Sequence, residues 1–166
     1  YYSMPGWLVK RFCAQYPVEE LEGWLQSNNR TPQVFLCAFD KHEPLKELGW
    51  TGILENYFAL PAGASFVELE GWETGDYIIQ DPAAGLSTLL ASPRDAESII
   101  DLCAAPGGKT IALAKAAGKD ATVTAVELAK NRIRKLRENL QRTNCDHVKI
   151  IQGDATSIDV PAGDLV

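Results

Sequence analysis

From residue 95 onward, short apolar runs alternate with segments whose apolar residues recur at helical spacing. Three runs of apolar and β-branched residues predict strands buried on both faces: 98–102, 122–126 and 147–152. Between them, residues 108–117 are rich in alanine, and residues 130–142 place isoleucine and leucine three and four positions apart. The order strand, helix, strand, helix, strand predicts a parallel sheet with right-handed crossovers, and therefore an α/β fold.

The pattern of residues 1–94 is less regular. It predicts two amphipathic helices, over residues 4–16 and 18–26, which Pro17 separates. Short strand-like runs follow at 33–39, 64–70 and 76–81, with proline- and glycine-containing turns between them. We therefore predict two domains: a small α+β module over residues 1–94, and an α/β domain over residues 95–166.

Length and composition are those of an ordinary globular protein. The chain has 166 residues, of which 46% are hydrophobic and 23% charged, which excludes extensive disorder. No stretch approaches the roughly 18 uninterrupted apolar residues of a membrane-spanning helix. The first residues lack the basic start and apolar run of a secretory signal, so we expect a cytoplasmic protein.

The cysteines and histidines do not have metal-ligand spacing. The four cysteines are far apart in sequence, and no pair forms a C-x-x-C motif: Cys13, Cys37, Cys103 and Cys145. Neither His42 nor His147 is spaced from a cysteine as zinc ligands are. We therefore expect reduced thiols and no metal site.

Charge is distributed unevenly along the chain. Residues 1–94 contain 6 basic and 12 acidic side chains, whereas residues 95–166 contain 10 of each. The acidic first part argues against broad, nonspecific attraction to nucleic acid. The predicted helix over residues 130–142 is the exception, with six basic side chains against Glu138 alone. A solvated helix face explains this stretch most simply, and contact with RNA is the alternative.

The glycine-rich stretch DLCAAPGGKT, at 101–110, follows the first predicted strand of the parallel sheet. Its last residues could close a triphosphate loop of the form G-x-x-x-x-G-K-[ST], but Cys103 stands where that motif requires its first glycine. Pro106 also removes a backbone N–H that a phosphate would use. The stretch does not match the G-x-G-x-x-G of nicotinamide sites either, and a tight turn without a ligand is the remaining alternative.

Each predicted parallel strand ends at an acidic residue: Asp101, Glu127 or Asp154. The carboxyl ends of such strands meet at one edge of the sheet, where ligands bind. Glu127 lies 20 positions after Gly107, about the spacing at which a carboxylate meets an adenosine ribose. Hydroxyls and amines suit three acids better than a triphosphate does, so a pocket for S-adenosylmethionine is the interpretation that fits all three strand ends.

Several segments together resemble the Sun (RsmB-like) family of S-adenosylmethionine-dependent RNA cytosine-5 methyltransferases. They are DLCAAPGGKT, VTAVELAKNRIRKLRENLQR and IIQGDA, with GDYIIQDPAAGLSTLL and MPGWLVKRFCAQYP upstream. The resemblance implies a Rossmann-like methyltransferase domain over residues 95–166, with Glu127 on the ribose and Asp154 near the adenine. It also implies that one loop wraps the methionine and ribose portions of S-adenosylmethionine: Cys103, Ala104, Ala105, Pro106, Gly107, Gly108 and Lys109.

The resemblance also shows what these residues lack. Glu127 stands where the family more often has aspartate, and the family's catalytic cysteines lie in later D-A-P-C-S and T-C-S segments that do not occur here. Residues 163–166 are predicted to begin the next strand. We therefore expect a monomeric fragment whose sheet is incomplete at the C-terminus, which is inactive alone and whose catalytic cysteine lies beyond Val166. Ribosomal RNA is the expected substrate, with transfer RNA, or a noncatalytic RNA- or cofactor-binding module, as the alternatives.

Overall fold

The protein is described by a computed structural model that covers residues 2–39, 45, 54, 56–117 and 120–166. Packing divides the chain into two compact units, one up to Gln33 and the other from Val34 onward. The domain boundary expected between residues 94 and 95 falls within the second unit, and it stays a prediction about separable domains.

Two helices make up the first unit: α1 (Gly6–Cys13) and α2 (Val18–Asn28). Both begin directly after a proline, whose fixed φ suits a helix start, and both confirm helices that the sequence predicted. Leu21 and Leu25 of α2 are buried. The ring of Tyr16 packs on Trp24 at a centroid distance of 4.7 Å.

The second unit begins with an antiparallel sheet of three short strands, ordered β2-β1-β3: β1 (Phe35–Ala38), β2 (Tyr57–Ala59) and β3 (Tyr77–Ile79). The sequence predicted β1 and β3 but not β2. The strand predicted over residues 64–70 is wrong, since residues 66–68 form a 3₁₀ turn. There the hydroxyl of Tyr77 donates to the carbonyls of Phe66 and Leu69, at 3.3 and 3.0 Å, so a side chain occupies acceptors that a neighbouring strand would need.

A helix that the sequence did not predict, α3 (Pro82–Ala91), leads into the parallel sheet. Asp81 caps its N-terminus by accepting the N–H of Ala83 at 2.8 Å, and Pro82 occupies the first helical position. Ser92 ends the helix in the left-handed conformation, with a φ of 48°.

The parallel sheet has the order β4-β5-β6, with a helix after each of the first two strands. The elements are β4 (Ser98–Asp101), α4 (Gly108–Ala117), β5 (Thr122–Glu127), α5 (Lys130–Arg142) and β6 (Lys149–Gln152). Ile111 of α4 and Leu136 of α5 join the core residues Ile99 and Val123 of the strands. The predicted α/β class with a Rossmann-like parallel sheet is confirmed.

Leu165 places a further segment beside β4. It forms a parallel bridge with Ile99 and accepts a hydrogen bond from the N–H of Ile100 at 2.8 Å. Asp164 adds a side-chain contact, since its Oδ2 accepts the N–H of Ser98 at 2.9 Å. The segment therefore lies where the sequence predicted the start of the next strand, and β4 has one parallel neighbour on each side.

Candidate functional site

The residues after β4 lie at a topological switch point of the sheet. β5 follows β4 along the chain and pairs with one edge of it, whereas Leu165 pairs with the other edge. The order of the strands therefore reverses between β4 and the Leu165 segment, and ligands of open α/β sheets bind in the crevice beyond the carboxyl ends of the strands at such a point. The segment that occupies this place is 102–107, between β4 and α4. We call residues 103–109 the glycine loop.

Asp101 holds both ends of the glycine loop. One oxygen of its carboxylate accepts the N–H of Cys103 at 3.1 Å, and the other accepts the hydroxyl of Thr110 at 2.6 Å. The N–H of Ala104 reaches the carbonyl of Val126 in β5 at 3.0 Å. The turn is thereby tied to both strands, and the carboxylate of Asp101 serves the loop itself.

Gly107 lies at the tightest point of the turn. Its φ of 111° is a conformation that side chains rarely adopt, and a Cβ atom there would lie 2.9 Å from Cδ1 of Leu136. Its carbonyl accepts the N–H of Ile111 at 2.8 Å, the first hydrogen bond of α4. Glycine is therefore required both by the backbone and by the neighbouring helix.

The glycine loop presents some of its residues to solvent and buries others. Ala104, Ala105 and Gly107 are buried, whereas Cys103, Pro106 and Lys109 are exposed. Gly108 begins α4, and a Cβ atom on it would be 3.4 Å from Nε2 of Gln80, an ordinary contact.

One face of α5 holds the glycine loop from the other side. Arg132 donates to the carbonyl of Ala105 at 2.5 Å, and Asn139 donates to the carbonyl of Pro106 at 2.8 Å. Leu136 lies between them, against Gly107. Positions 132, 136 and 139 are four and three residues apart, so they share one helix face. Two consecutive carbonyls of the loop thus have side-chain donors from α5.

Glu127, at the end of β5, is buried with 4% of its side chain exposed. One carboxylate oxygen accepts the N–H of Ala129 at 2.9 Å, and the other lies 3.3 Å from Nη1 of Arg132. A buried carboxylate needs such partners, because an uncompensated charge away from water is costly. Through its single guanidinium, Arg132 therefore connects the glycine loop with Glu127, the residue predicted to bind the ribose.

Asp154 follows β6 and is exposed. Its Oδ1 accepts the hydroxyl and the N–H of Thr156, at 2.7 and 2.9 Å, and these hydrogen bonds lower the pKa of its carboxyl. The N–H of Gly153 donates to the carbonyl of Glu127 at 3.2 Å, which ties the ends of β5 and β6 together. The three predicted positions thus lie at the carboxyl ends of adjacent strands, and their roles toward a ligand stay predictions.

A cavity of about 200 Å³ adjoins the glycine loop near Asp101 and Lys109. Helix α3 contributes Ser87 and Thr88 to its lining. The hydroxyl oxygen of Thr88 is buried and has no hydrogen-bond partner among the described residues.

The basic stretch of α5 divides into side chains with different roles. Arg134 is 85% exposed and lies 3.8 Å from Glu138, as expected for a solvated face. Arg142 instead lies 3.8 Å from the ring centroid of Trp72 and donates to the carbonyls of Trp72 and Tyr77 at 2.7 and 3.1 Å. Burial lowers the pKa of Arg142. Arg132 faces the glycine loop, so the interpretation of this helix as one solvated face is incomplete.

The sequence pattern did not single out Arg132, which is one of six basic residues on this helix, or Asn139. A signal was present: polar residues at 132 and 139 flank Leu136, which belongs to the apolar face of the same helix. A polar side chain at the edge of a helix's apolar stripe lies near the element on which that stripe packs, and can hydrogen-bond to it.

The thiols differ in environment. Cys37 and Cys145 are buried, whereas Cys13 and Cys103 are exposed. Burial raises the pKa of Cys37 to about 11 and also raises that of Cys145. Within the described ranges, no group of three or more histidine, cysteine, aspartate or glutamate side chains is placed to hold a metal ion. No helix in that part of the chain combines the length and apolarity needed to cross a membrane.

The chain is similar in sequence to a family of ribosomal RNA methyltransferases. The model of the 16S rRNA methyltransferase RsmB/F family matches residues 88–166. Ribosomal RNA small subunit methyltransferase B of Serratia proteamaculans (strain 568) is 34% identical over 174 aligned positions, which cover 98% of this chain and 40% of that protein. The enzyme of the same name from Yersinia enterocolitica is 33% identical and is covered to the same extent, 40%. The chain therefore spans about two fifths of the length of these relatives.

Solved structures give the same picture of the fold. PH0851 superposes with a TM-score of 0.80 and 23% identity, covering 93% of this chain and 37% of that one. NSun6 from Pyrococcus horikoshii with SFG has a TM-score of 0.51 and 35% identity, covering 55% of this chain and 24% of that one. The similarity to PH0851 concerns the fold alone, whereas NSun6 is similar to this chain in both sequence and structure.

Proposed function

Because the chain belongs to the Sun/RsmB-like family of RNA methyltransferases, we propose that it binds S-adenosylmethionine and serves methyl transfer to ribosomal RNA. One observation carries the proposal. The glycine loop, Glu127 and Asp154 lie together at the carboxyl ends of β4, β5 and β6, beside the switch point of the sheet. The ligand SFG in the NSun6 structure and the names of the relatives in sequence support it.

The residues present fit this cofactor. The positive φ of Gly107 lets the chain turn sharply between β4 and α4, and the absence of a Cβ there lets the loop pack on Leu136 of α5 beside the carboxyl ends of the strands. In the proposal, Cys103 to Lys109 surround the methionine and ribose portions, Glu127 accepts hydrogen bonds from ribose hydroxyls, and Asp154 lies toward the adenine. Asp101 and Arg132 position these groups through the contacts described above.

The bound cofactor would supply a methyl group activated as a sulfonium. We propose cytosine C5 as the acceptor, which requires a thiolate to add to C6 and, after transfer, a base to remove the C5 proton as the C6–S bond breaks and the thiolate leaves. The target base must also leave its stack to reach such a site.

The cysteines in this chain suit that nucleophile poorly. Burial raises the pKa of Cys37 and Cys145, which disfavours their thiolates, and Cys103 is part of the loop assigned to the cofactor. Cys13 lies in the other compact unit. We therefore propose that the catalytic cysteine lies outside residues 1–166, and that these residues alone transfer no methyl group.

Calorimetry with the purified chain tests the cofactor assignment. S-adenosylhomocysteine, the demethylated product, and ATP are titrated in parallel at the same ionic strength. The proposal expects binding of S-adenosylhomocysteine and at least about tenfold weaker binding of ATP, since Cys103 and Pro106 disrupt a triphosphate loop. Preference for ATP would reject the assignment and favour a phosphate loop.

A transfer assay tests the reaction. The full-length protein is incubated with radiolabelled S-adenosylmethionine and either unmodified 16S ribosomal RNA or unmodified transfer RNA. We expect label in the ribosomal RNA, recovered as 5-methylcytidine after nuclease digestion. Label only in transfer RNA would change the substrate, and label in another nucleoside would reject cytosine C5. Residues 1–166, assayed alone, should transfer nothing.

A further inference from the structure

We propose that Arg132 is a positioning residue that couples Glu127 to the glycine loop, so that preference for a cofactor with ribose hydroxyls depends on Arg132. The inference rests on the proposed function, because it concerns how the same site recognises a nucleoside. It goes beyond that function by assigning part of the discrimination to a residue that does not need to touch the ligand.

The guanidinium of Arg132 contacts Glu127 and the glycine loop at the same time. Nη1 of Arg132 lies 3.3 Å from Glu127 Oε2, while Nη2 donates to the carbonyl of Ala105 at 2.5 Å. A guanidinium is planar and rigid, so two contacts made by its two terminal nitrogens fix the positions of both acceptors relative to each other. The ammonium of a lysine is a point charge on a flexible stem and cannot impose that relation.

The carboxylate of Glu127 is buried and keeps acceptor capacity for a ligand. Glu127 is 96% covered, and its second oxygen accepts the N–H of Ala129 at 2.9 Å. Each carboxylate oxygen can accept about two hydrogen bonds, so Oε1, which accepts the N–H of Ala129, and Oε2, which forms the ion pair with Arg132, each keep at least one further acceptor direction. Two such directions match the two hydroxyls of a ribose. Without Arg132, the side chain of Glu127 keeps the hydrogen bond from Ala129 but loses its ion pair, so its orientation is less restricted.

Arg132 lies on the face of α5 that packs against the glycine loop. It shares a face with Leu136 and Asn139, which contact the next two residues of the glycine loop. Movement of the loop would therefore be transmitted to the guanidinium and from there to Glu127. Arg134, two positions further, has the same charge but is 85% exposed, and its ion pair in the part of the chain that the structure describes is with Glu138 of the same helix, at 3.8 Å. It is a matched control for loss of charge.

The experiment compares two ligands across variants. The full chain is titrated with S-adenosylhomocysteine and with its 2′-deoxy analogue in calorimetry, as wild type and as Arg132→Ala, Arg132→Lys and Arg134→Ala. The measured quantity is the ratio of the two dissociation constants. In the wild type we expect the analogue to bind about tenfold more weakly, the effect of one hydrogen bond to a charged group.

For Arg132→Ala we expect that preference to fall to about threefold or less, because the affinity for S-adenosylhomocysteine decreases more than that for the analogue. Arg132→Lys should also lose preference while keeping the charge, and Arg134→Ala should behave as the wild type. Thermal unfolding checks that each variant is folded. If Arg132→Ala does not fold, the lysine variant decides by the same ratio.

Equal weakening of both ligands in the Arg132 variants would show a purely structural role and overturn the inference, as would an unchanged ratio with unchanged affinities. If the wild type binds S-adenosylhomocysteine and prefers it to the 2′-deoxy analogue, such a result counts against the role of Arg132 and leaves the proposed function intact. A wild type that does not bind S-adenosylhomocysteine refutes the proposed function, and this inference with it.

Discussion

Replacement of Gly107 by alanine tests the packing of the glycine loop against α5. Two costs follow from the structure. The first is backbone strain, because the residue has a φ of 111°, which costs about 1–3 kcal/mol for a residue with a Cβ atom. The second is steric, because the new Cβ would lie 2.9 Å from Cδ1 of Leu136, a side chain that is fully buried. Moving such a side chain in a packed core costs about 1 kcal/mol or more.

We therefore expect Gly107→Ala to lower the free energy of unfolding by about 2–4 kcal/mol, measured by urea denaturation with the chain at fixed pH. Gly63→Ala is the matched control: its φ is 81°, and a Cβ there would have no atom within 4 Å. It carries backbone strain alone, so it should cost about 1–2 kcal/mol. The difference between the two variants measures the contact with Leu136.

A double-mutant cycle isolates that contact further. Leu136→Val shortens the side chain at the point of contact, so the double variant with Gly107→Ala should lose less than the sum of the single losses, by about 0.5 kcal/mol or more. If Gly107→Ala is no more destabilising than Gly63→Ala and the cycle shows no coupling, the contact with Leu136 contributes nothing to stability. The glycine would then be explained by backbone conformation alone.

Three further predictions concern the cofactor, the packing of α5 and pH. Glu127→Ala should weaken binding of S-adenosylhomocysteine by about 1–3 kcal/mol in calorimetry. Glu138→Ala, which removes an exposed carboxylate of α5, is the control and should leave the affinity unchanged. Equal effects of the two variants would show that Glu127 does not bind the ribose. Arg142→Ala should lower the free energy of unfolding by about 2–4 kcal/mol, because it removes two hydrogen bonds and the stacking on Trp72. Arg142→Lys should have an intermediate effect. A loss below about 0.5 kcal/mol for Arg142→Ala would contradict these contacts. Burial raises the pKa of Cys37 from 9.0 to about 11, so the unfolded chain loses this proton first and stability should fall as the pH rises from 9 to 11. Denaturation of Cys37→Ala should show a smaller fall across that window, and an identical pH profile would exclude the thiol as its cause.

Much of the parallel sheet could be predicted from the sequence because its signals are local. A strand buried on both faces must be apolar along its length, and a helix that covers it must repeat its apolar residues every three or four positions. The bounds predicted for α4, 108–117, are those of the structure. The acids at the strand ends could be placed together in advance, because parallel strands bring their carboxyl ends to one edge whatever the details of packing.

The first 94 residues were harder to predict because their structure depends on distant groups. Residues 64–70 have the composition of a strand, yet the hydroxyl of Tyr77 occupies carbonyls at 66 and 69 and a 3₁₀ turn forms. Strand propensity is a weak predictor, because whether a strand forms depends on the groups that pack and hydrogen-bond with it. At these residues that group is the side chain of Tyr77.

At the candidate site, the sequence by itself determined the character of the glycine loop, since a proline without an N–H and a glycine without a Cβ constrain the backbone wherever they stand. Only the tertiary structure decided which side chains of α5 meet that loop. Arg132 lies 27 residues after Ala105, and Asn139 lies 33 after Pro106, so neither contact follows from local preferences. Both exist because α5 packs its apolar stripe on the sheet, which turns the polar residues at the edge of that stripe toward the carbonyls of the loop.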